Sequence, residues 1–262
     1  MKEELSLEFE NKDFRCTVDG EIAIVKVKCN AFYSLTDLDI SRRILYWFDL
    51  VAEEDKIKAI LILNEKGCFG NTAYEVFLSS VTGKDFSSKK PYQLSPGERA
   101  NIRAREVNVL NSFIMATTNF RRLVVSGLNG TIVTPFFGAS LASNFRFATE
   151  DCVISLSHAK YGLHAGGALP FFLPRYLGIG KATDYIFNGG EIPAGEAVDM
   201  GLFNKILPEE NFEEACIEET RQLCTAGARY LRWTKELLIP YKKELVDYLH
   251  HEEKFIEHYE DI

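Results

Sequence analysis

The chain has 262 residues, 46% of them hydrophobic and 26% charged, with a formal net charge of -8. That length suits one large domain or a domain with a helical appendage, and the ordinary content of glycine and proline excludes low complexity and disorder. The acidic balance argues against a nucleic-acid partner, which calls for a basic footprint, while leaving room for a local basic pocket around a phosphorylated ligand.

The six cysteines, Cys16, Cys29, Cys68, Cys152, Cys216 and Cys224, form no CxxC pair and none lies at metal-ligand spacing from a histidine. The opening MKEELSLEFENKDF is acidic and has no apolar core, so it does not read as a signal peptide. No apolar run approaches membrane-spanning length. The expected setting is cytoplasmic, with reduced thiols.

In chain order, EIAIVKVK over 21–28 alternates apolar and polar residues as a half-buried strand does. Residues 35–53 place Leu38, Ile44, Leu45, Phe48 and Val51 at helical spacing, with Thr36 or Asp37 as the cap. The run IKAILIL at 57–63 predicts a buried strand. KGCFGNTAYEVF follows at 66–77, where Asn71 and Thr72 open a short helix, and 82–97 has the composition of a loop. A helix is expected from about Glu98 to Thr118, and LVVSGL at 123–128 is another buried strand. GASLASNFRFA at 138–148 reads as a buried helix, and VISL at 153–156 as a strand.

After Gly180 the character changes. Segments 181–189, 194–201 and 211–227 read as successive helices, broken by glycines or by a short strand FNKIL, and the tail from Tyr230 to Ile262 is a charged amphipathic helical pair. The expected organisation is an α/β core over 1–180 and a C-terminal helical region over 181–262, the latter serving assembly and pocket cover. Strand-helix alternation in the core points to mainly parallel strands.

The run IKAILIL, then GCFGNT, VSGLNG, ATEDCVISLSHAKYGLHAGGALPFFLPRYLG and AGEAVDMGLFNKI resembles the crotonase superfamily of enoyl-CoA hydratases and isomerases over about residues 20–240. The order G-L-x-x-G-G, L-P-R-Y-L-G and A-x-E-A-x-x-M-G-L carries most of that likeness. The resemblance implies a crotonase-like α/β spiral of ββα units, assembly as a homo-trimer or hexamer, and acyl-CoA or acyl-carrier thioesters as ligands with no further cofactor. It also implies an oxyanion hole of two backbone N–H groups, fixed donors aimed where an enolate develops, one of them at a helix N-terminus.

Several positions depart from that pattern. The first donor maps to Asn71, in a G-N-T context. The second falls on Thr134-Pro135-Phe136, whose middle residue is Pro135, an imino acid with no N–H. The N–H of Phe136 is the substitute if the loop shifts. Pro135 also suits the start of a helix, and the two readings are compatible. The two hydratase glutamates map to Gly138 and His158, neither a carboxylate, so paired-acid hydration chemistry is missing. His158 is either a single acid or base or a polar filler at a strand end. Glu75 follows the first donor on the short helix and is either a base or a solvated carboxylate. Lys26 and Lys28, at the short loop where the family meets CoA, either contact phosphates or are ordinary strand lysines.

Other residues carry a bland reading beside a functional one. His164, among glycines, is more simply structural, and Gly166 and Gly167 suggest unusual turns. Arg103 and Arg105 pair with an anionic group or with surface carboxylates. His250, His251 and His258 belong to a solvated terminal helix. Phe136, Phe137, Phe171 and Phe172 line an acyl pocket or fill it. Two functions remain open: a divergent isomerase, decarboxylase or dehydratase on acyl thioesters, or a catalytically inactive scaffold or regulatory subunit on the same fold.

Overall fold

A computed structural model describes residues 6–28, 32, 37–86 and 92–257, without the side chains of Leu38, Ile256 and Glu257. Its larger sheet has seven strands: β1 (Phe9–Glu10), β2 (Phe14–Asp19), β3 (Ile22–Val27), β4 (Ala59–Asn64), β5 (Leu123–Leu128), β7 (Phe145–Thr149) and β10 (Lys205–Leu207), in that spatial order. The first two pairings are antiparallel and the rest are parallel. A second sheet joins β6 (Thr131–Val133), β8 (Val153–Leu156) and β9 (Gly190–Pro193).

The strands carry apolar residues on both faces because both faces are covered. Ile22, Ile24, Leu61, Leu63, Leu123 and Val125 meet Phe212 and Cys216 of α8 (Phe212–Leu223) and Leu231 of α9 (Ala228–Leu238). The alternate residues Ala23, Val25, Ile60, Ile62 and Val124 join the main core with Trp47, Phe48 and Ile114 from α1 (Leu38–Glu53) and α3 (Pro96–Asn119). Parallel strands sandwiched in this way read as continuous apolar runs. The half-buried strand expected at 21–28 is observed as Ile22–Val27, buried on both faces with Lys26 partly exposed.

Local signals set the helix starts. Asp37 caps α1 by accepting from the N–H groups of Asp39 and Ile40, and Ser95 with Glu98 forms a capping box ahead of α3. The other candidate cap, Thr36, lies outside the described residues, as do Cys29, His258 and part of the 82–97 loop. The remaining cysteines are buried, and among the described residues none is in a disulfide.

One expectation is corrected. Segment 138–148 is helical only as far as Ser140. Helix α4 spans Thr134–Ser140, a turn follows, and FRFAT forms β7, paired with β5 and β10, with the Arg146 guanidinium donating to Leu202 O (2.6 Å) and Ser143 O (2.7 Å). Past residue 180, helices dominate: α6 (Ile179–Asn188), α7 (Ala194–Asp199), α8, α9 and α10 (Lys242–Glu257), following α5 (Leu169–Leu177). Yet β9 and β10 return to the two sheets, so this part of the chain completes the core as well as covering it. Helix α10 packs along α3. Among the described residues no helix is long and apolar enough to cross a membrane, and no group of His, Cys, Asp and Glu is arranged to hold a metal.

Candidate functional site

Helix α2 (Asn71–Thr82) begins at Asn71, with Gly70 as its N-cap. The loop before it is tied to β6 by Val133 N–H donating to Phe69 O at 2.9 Å. The N–H of Asn71 lies in the first turn of α2, where helix geometry supplies no acceptor. Its side chain accepts from Ser155 Oγ at 3.1 Å. Asn71, Ser155, Ser157, Lys160, Gly189 and Glu191 lie around a cleft of about 430 Å³.

The position expected to supply the second donor is different. Helix α4 follows β6 directly, with Val133 as N-cap and Pro135 as its second residue. Here proline supplies the fixed φ of a helix start and no donor. Phe136 turns its ring onto Phe69, with centroids 4.1 Å apart and planes at 27°, and also meets Phe32 at 4.5 Å. Phe32 in turn contacts Tyr74 and Phe77, so stacked rings fill the space between α2 and α4.

Gly138 sits on the next turn of α4, against the Gly166–Gly167 backbone. A β-carbon at 138 would lie 2.9 Å from Gly166 O and closer still to Gly167 O. Gly167, at φ +66°, is itself wedged against the Pro135 carbonyl. The volume into which a glutamate at 138 would extend is thus already backbone.

His158 lies on the short 3-10 turn Ser157–Tyr161 after β8 and is 4% exposed. Its Nε2 is 2.8 Å from Ile186 O, which can only accept, so the pattern assigns the proton to Nε2. Its Nδ1 is 2.9 Å from Thr134 Oγ1 and takes that hydroxyl as donor. Burial lowers the imidazole pKa below its ordinary value, and Arg103 lowers it further. A neutral ring with both nitrogens occupied clamps β8, α4 and α6 together.

Glu75, one turn along α2 from Asn71, accepts from Lys160 Nζ at 2.9 Å and Tyr161 Oη at 2.8 Å. Burial, with Glu75 beside it, raises the Tyr161 phenol well above its usual range. Lys26 pairs with Glu213 at 2.8 Å, and Lys28 with Glu10 at 2.5 Å, so both lysines are engaged by the chain's own carboxylates at its surface. Phe137 packs edge-on against Phe203, and Phe171 lies under Arg175, 3.6 Å from its guanidinium carbon.

The expectation of a surface salt bridge for Arg103 is overturned. Arg103 is fully buried, pairs with Glu106 and donates to the His164 carbonyl. Glu106 also accepts from Tyr74 Oη at 2.7 Å. A second carboxyl, Glu252 of α10, is 4% exposed, and burial pushes its pKa up to about 7. Burial first, then Arg103, lowers His164 to about 3. Neither Glu106 nor Glu252 stood out in the sequence. The R-A-R-E spacing that puts Arg103 and Glu106 on one helix face was the available signal.

The family profile described as enoyl-CoA hydratase/isomerase matches residues 76–261, more than half the chain. Chromodomain Y-like protein 2 of Mus musculus is 22% identical over 185 residues, covering 68% of this chain and 36% of that protein. An enoyl-CoA hydratase of Alternaria alternata is 29% identical over 134 residues, covering 51% of this chain and 45% of that one. The matched region thus spans less than half of these relatives' own length. Among solved structures, an enoyl-CoA hydratase from Bacillus halodurans superposes with a TM-score of 0.72 at 16% identity, covering 94% of both chains. A monofunctional enoyl CoA isomerase from M. smegmatis gives 0.65 at 17% identity, covering 89% of this chain and 95% of that one. The shared crotonase-like α/β fold and the profile match agree: this chain belongs to the enoyl-CoA hydratase/isomerase family.

Proposed function

We propose that this protein binds an acyl thioester, on CoA or on a carrier protein, and does not hydrate it. The observation that carries this reading is the Gly166–Gly167 backbone packed onto Gly138, which leaves no room for an acid there. Three others support it. Pro135 removes one of the two oxyanion donors, His158 spends both ring nitrogens on the fold, and rings stack where an acyl chain would approach α4. The thioester then relies on the Asn71 end of α2 and on the cleft beside it, where Lys160 supplies a positive charge. The role that follows is that of a binding or regulatory subunit, and assembly into a homo-trimer or hexamer suits the exposed Ile179, Phe187, Trp233 and Leu237.

A second reading keeps catalysis. Glu75 is a positioned carboxylate one turn from Asn71, held by Lys160 and Tyr161, and a single base suffices for isomerisation. The experiment is a thermal-shift titration with crotonyl-CoA and CoA, run beside assays for hydration and double-bond migration. A shift without turnover supports the binding reading. Migration abolished by Glu75→Gln supports the second. Hydration overturns both.

A further inference from the structure

A second cleft, of about 410 Å³, lies where α3, α9 and α10 meet. That volume falls in the lower part of the ~300–1,000 Å³ range of small-molecule sites. The cleft adjoins the N-terminal end of β5, at Phe120 and Arg121, whereas Asn71 follows the C-terminal end of the parallel strand β4. The two sites therefore stand at opposite ends of the strands.

Its walls are anchored. Lys235 of α9 is buried and donates from Nζ to Thr117 O at 3.1 Å and to Arg122 O at 3.0 Å, which pins α9 to the turn between α3 and β5. Arg122 is tied in turn to the end of α1, donating to Glu54 O and Ile57 O at 2.6 Å each and to Ala52 O at 2.9 Å. Walls held in this way lose little freedom when a ligand arrives. Beside these supports stand Arg121, Arg232 and Lys242, all exposed, one each from the turn, α9 and α10.

These three cations differ from others at the surface. Carboxylates outnumber lysines and arginines by 38 to 30, and Lys28, Lys66, Lys84, Lys205 and Arg221 each pair with at least one. Among the described residues the side chains of Arg121, Arg232 and Lys242 have no hydrogen bond or ion pair. The one carboxyl lining the cleft is Glu236. Burial first, then Lys242, lowers the Lys235 ammonium to about 7, so it adds about half a charge at neutral pH. The C-terminal ends of α3 and α9 each contribute about half a negative charge, and the start of α10 about half a positive one. The result is an excess of about two positive charges. In the wider groove alongside, Arg122 and Arg229 are set against Asp49, Glu53 and Asp55, so the excess is confined to the cleft.

We propose that this cleft binds a phosphate dianion, free or as the monoester of a small molecule, held by Arg121, Arg232 and Lys242. A tetrahedral oxyanion presents oxygens to donors arriving from three elements, and each guanidinium matches two of them at once. A carboxylate has only two oxygens to offer. Ile239, on the cleft wall, gives apolar surface to the body of a monoester. The site is separate from the thioester reading and does not depend on it.

The test titrates the full chain by calorimetry, at low salt, with inorganic phosphate, phenyl phosphate, succinate and acetate. Both phosphates are expected to saturate a single site, to bind roughly tenfold more tightly than acetate and more tightly than succinate, and to weaken as salt is raised. Tighter binding of phenyl phosphate would assign a monoester as the ligand, and equal binding the free anion. Arg121→Gln and Arg232→Gln, exposed changes that leave the anchored walls in place, are each expected to weaken phosphate binding by roughly tenfold. Glu236→Gln, which removes the cleft's own carboxylate, is expected to tighten it several-fold. Lys181→Gln, an exposed change on α6 away from the cleft lining, alters the net charge equally and is expected to leave affinity within about twofold. The proposal is overturned if phosphate does not saturate, if succinate or acetate binds as tightly, if both arginine variants bind unchanged, or if Lys181→Gln weakens binding as much as they do.

Discussion

Gly138→Ala tests the packing on which the functional reading rests. The added methyl group would lie 2.9 Å from Gly166 O and nearer to Gly167 O, both of them backbone atoms. Reaching ordinary van der Waals separation requires the 166–167 segment to retreat by roughly 1 Å. That segment cannot slide back along α4, because Gly167 is already wedged under the Pro135 carbonyl at φ +66°. Overpacking of this kind costs about 1–3 kcal/mol, against a helix-propensity gain of up to about 1 kcal/mol for replacing glycine by alanine. The net expectation is a loss of about 1–2 kcal/mol, or about 2–8 °C in melting temperature for a chain near this size. Urea denaturation followed by circular dichroism reads it. Gly180→Ala, also in a helix but with nothing within 4 Å of the new atom, is the control and is expected to be neutral or stabilising. If Gly138→Ala matched that control, the space beside α4 would be open and the reasoning would fail.

Replacing His158 by Ala is expected to cost roughly 2–4 kcal/mol, from two lost buried hydrogen bonds and a cavity, as measured by chemical denaturation. Because its folded pKa is lowered, its contribution is present above pH 6.5 and is lost as pH falls below that value, so acid denaturation should be shallower in the variant. Glu252 acts with the opposite sign. Its folded pKa is raised from 4.5 to about 7, so its contribution is present below pH 4.5 and is lost as pH rises through 7. Stability curves of Glu252→Gln and the parent are therefore expected to differ by roughly 3 kcal/mol between those limits, with parallel curves as the contrary result. Arg103→Met, which strands Glu106 and frees the His164 carbonyl, is expected to destabilise by about 3–5 kcal/mol in the same assay.

Much of the fold was legible because its signals are local. IKAILIL and LVVSGL are apolar along most of their length since α8 and α9 cover one sheet face and α1 and α3 the other. Asp37 announced its helix through capping chemistry, while the capping box of Ser95 and Glu98 went unread and the helix was expected to start near Glu98. The segment FRFAT was misread because its small-residue approach, GASLAS, carries helical spacing, whereas its strand pairing with β5 and β10 is long-range. The strand at Thr131–Val133 was missed because its partner β8 lies beyond α4 and β7 in sequence, whereas Phe14–Asp19 was missed although its partner β3 follows at once in a tight hairpin through Gly20.

At the candidate site, the sequence revealed what was absent, a carboxylate at 138 and 158 and an N–H at 135. It could not reveal what replaced them. That Gly166–Gly167 backbone stands against α4, and that both His158 nitrogens are taken, follows from residues 20 to 30 positions apart meeting in space. Glu252 was invisible for the same reason. In HHEEKFIEHYED it reads as one acid among several, and only the packing of α10 on α3 buries it.

The most direct measurement is the rate at which the protein removes the enoyl absorbance of crotonyl-CoA, taken with the affinity for the same compound in one sample. The expected result is saturable binding with a loss of absorbance no faster than in buffer. Protein-dependent hydration by the unaltered chain would contradict the account.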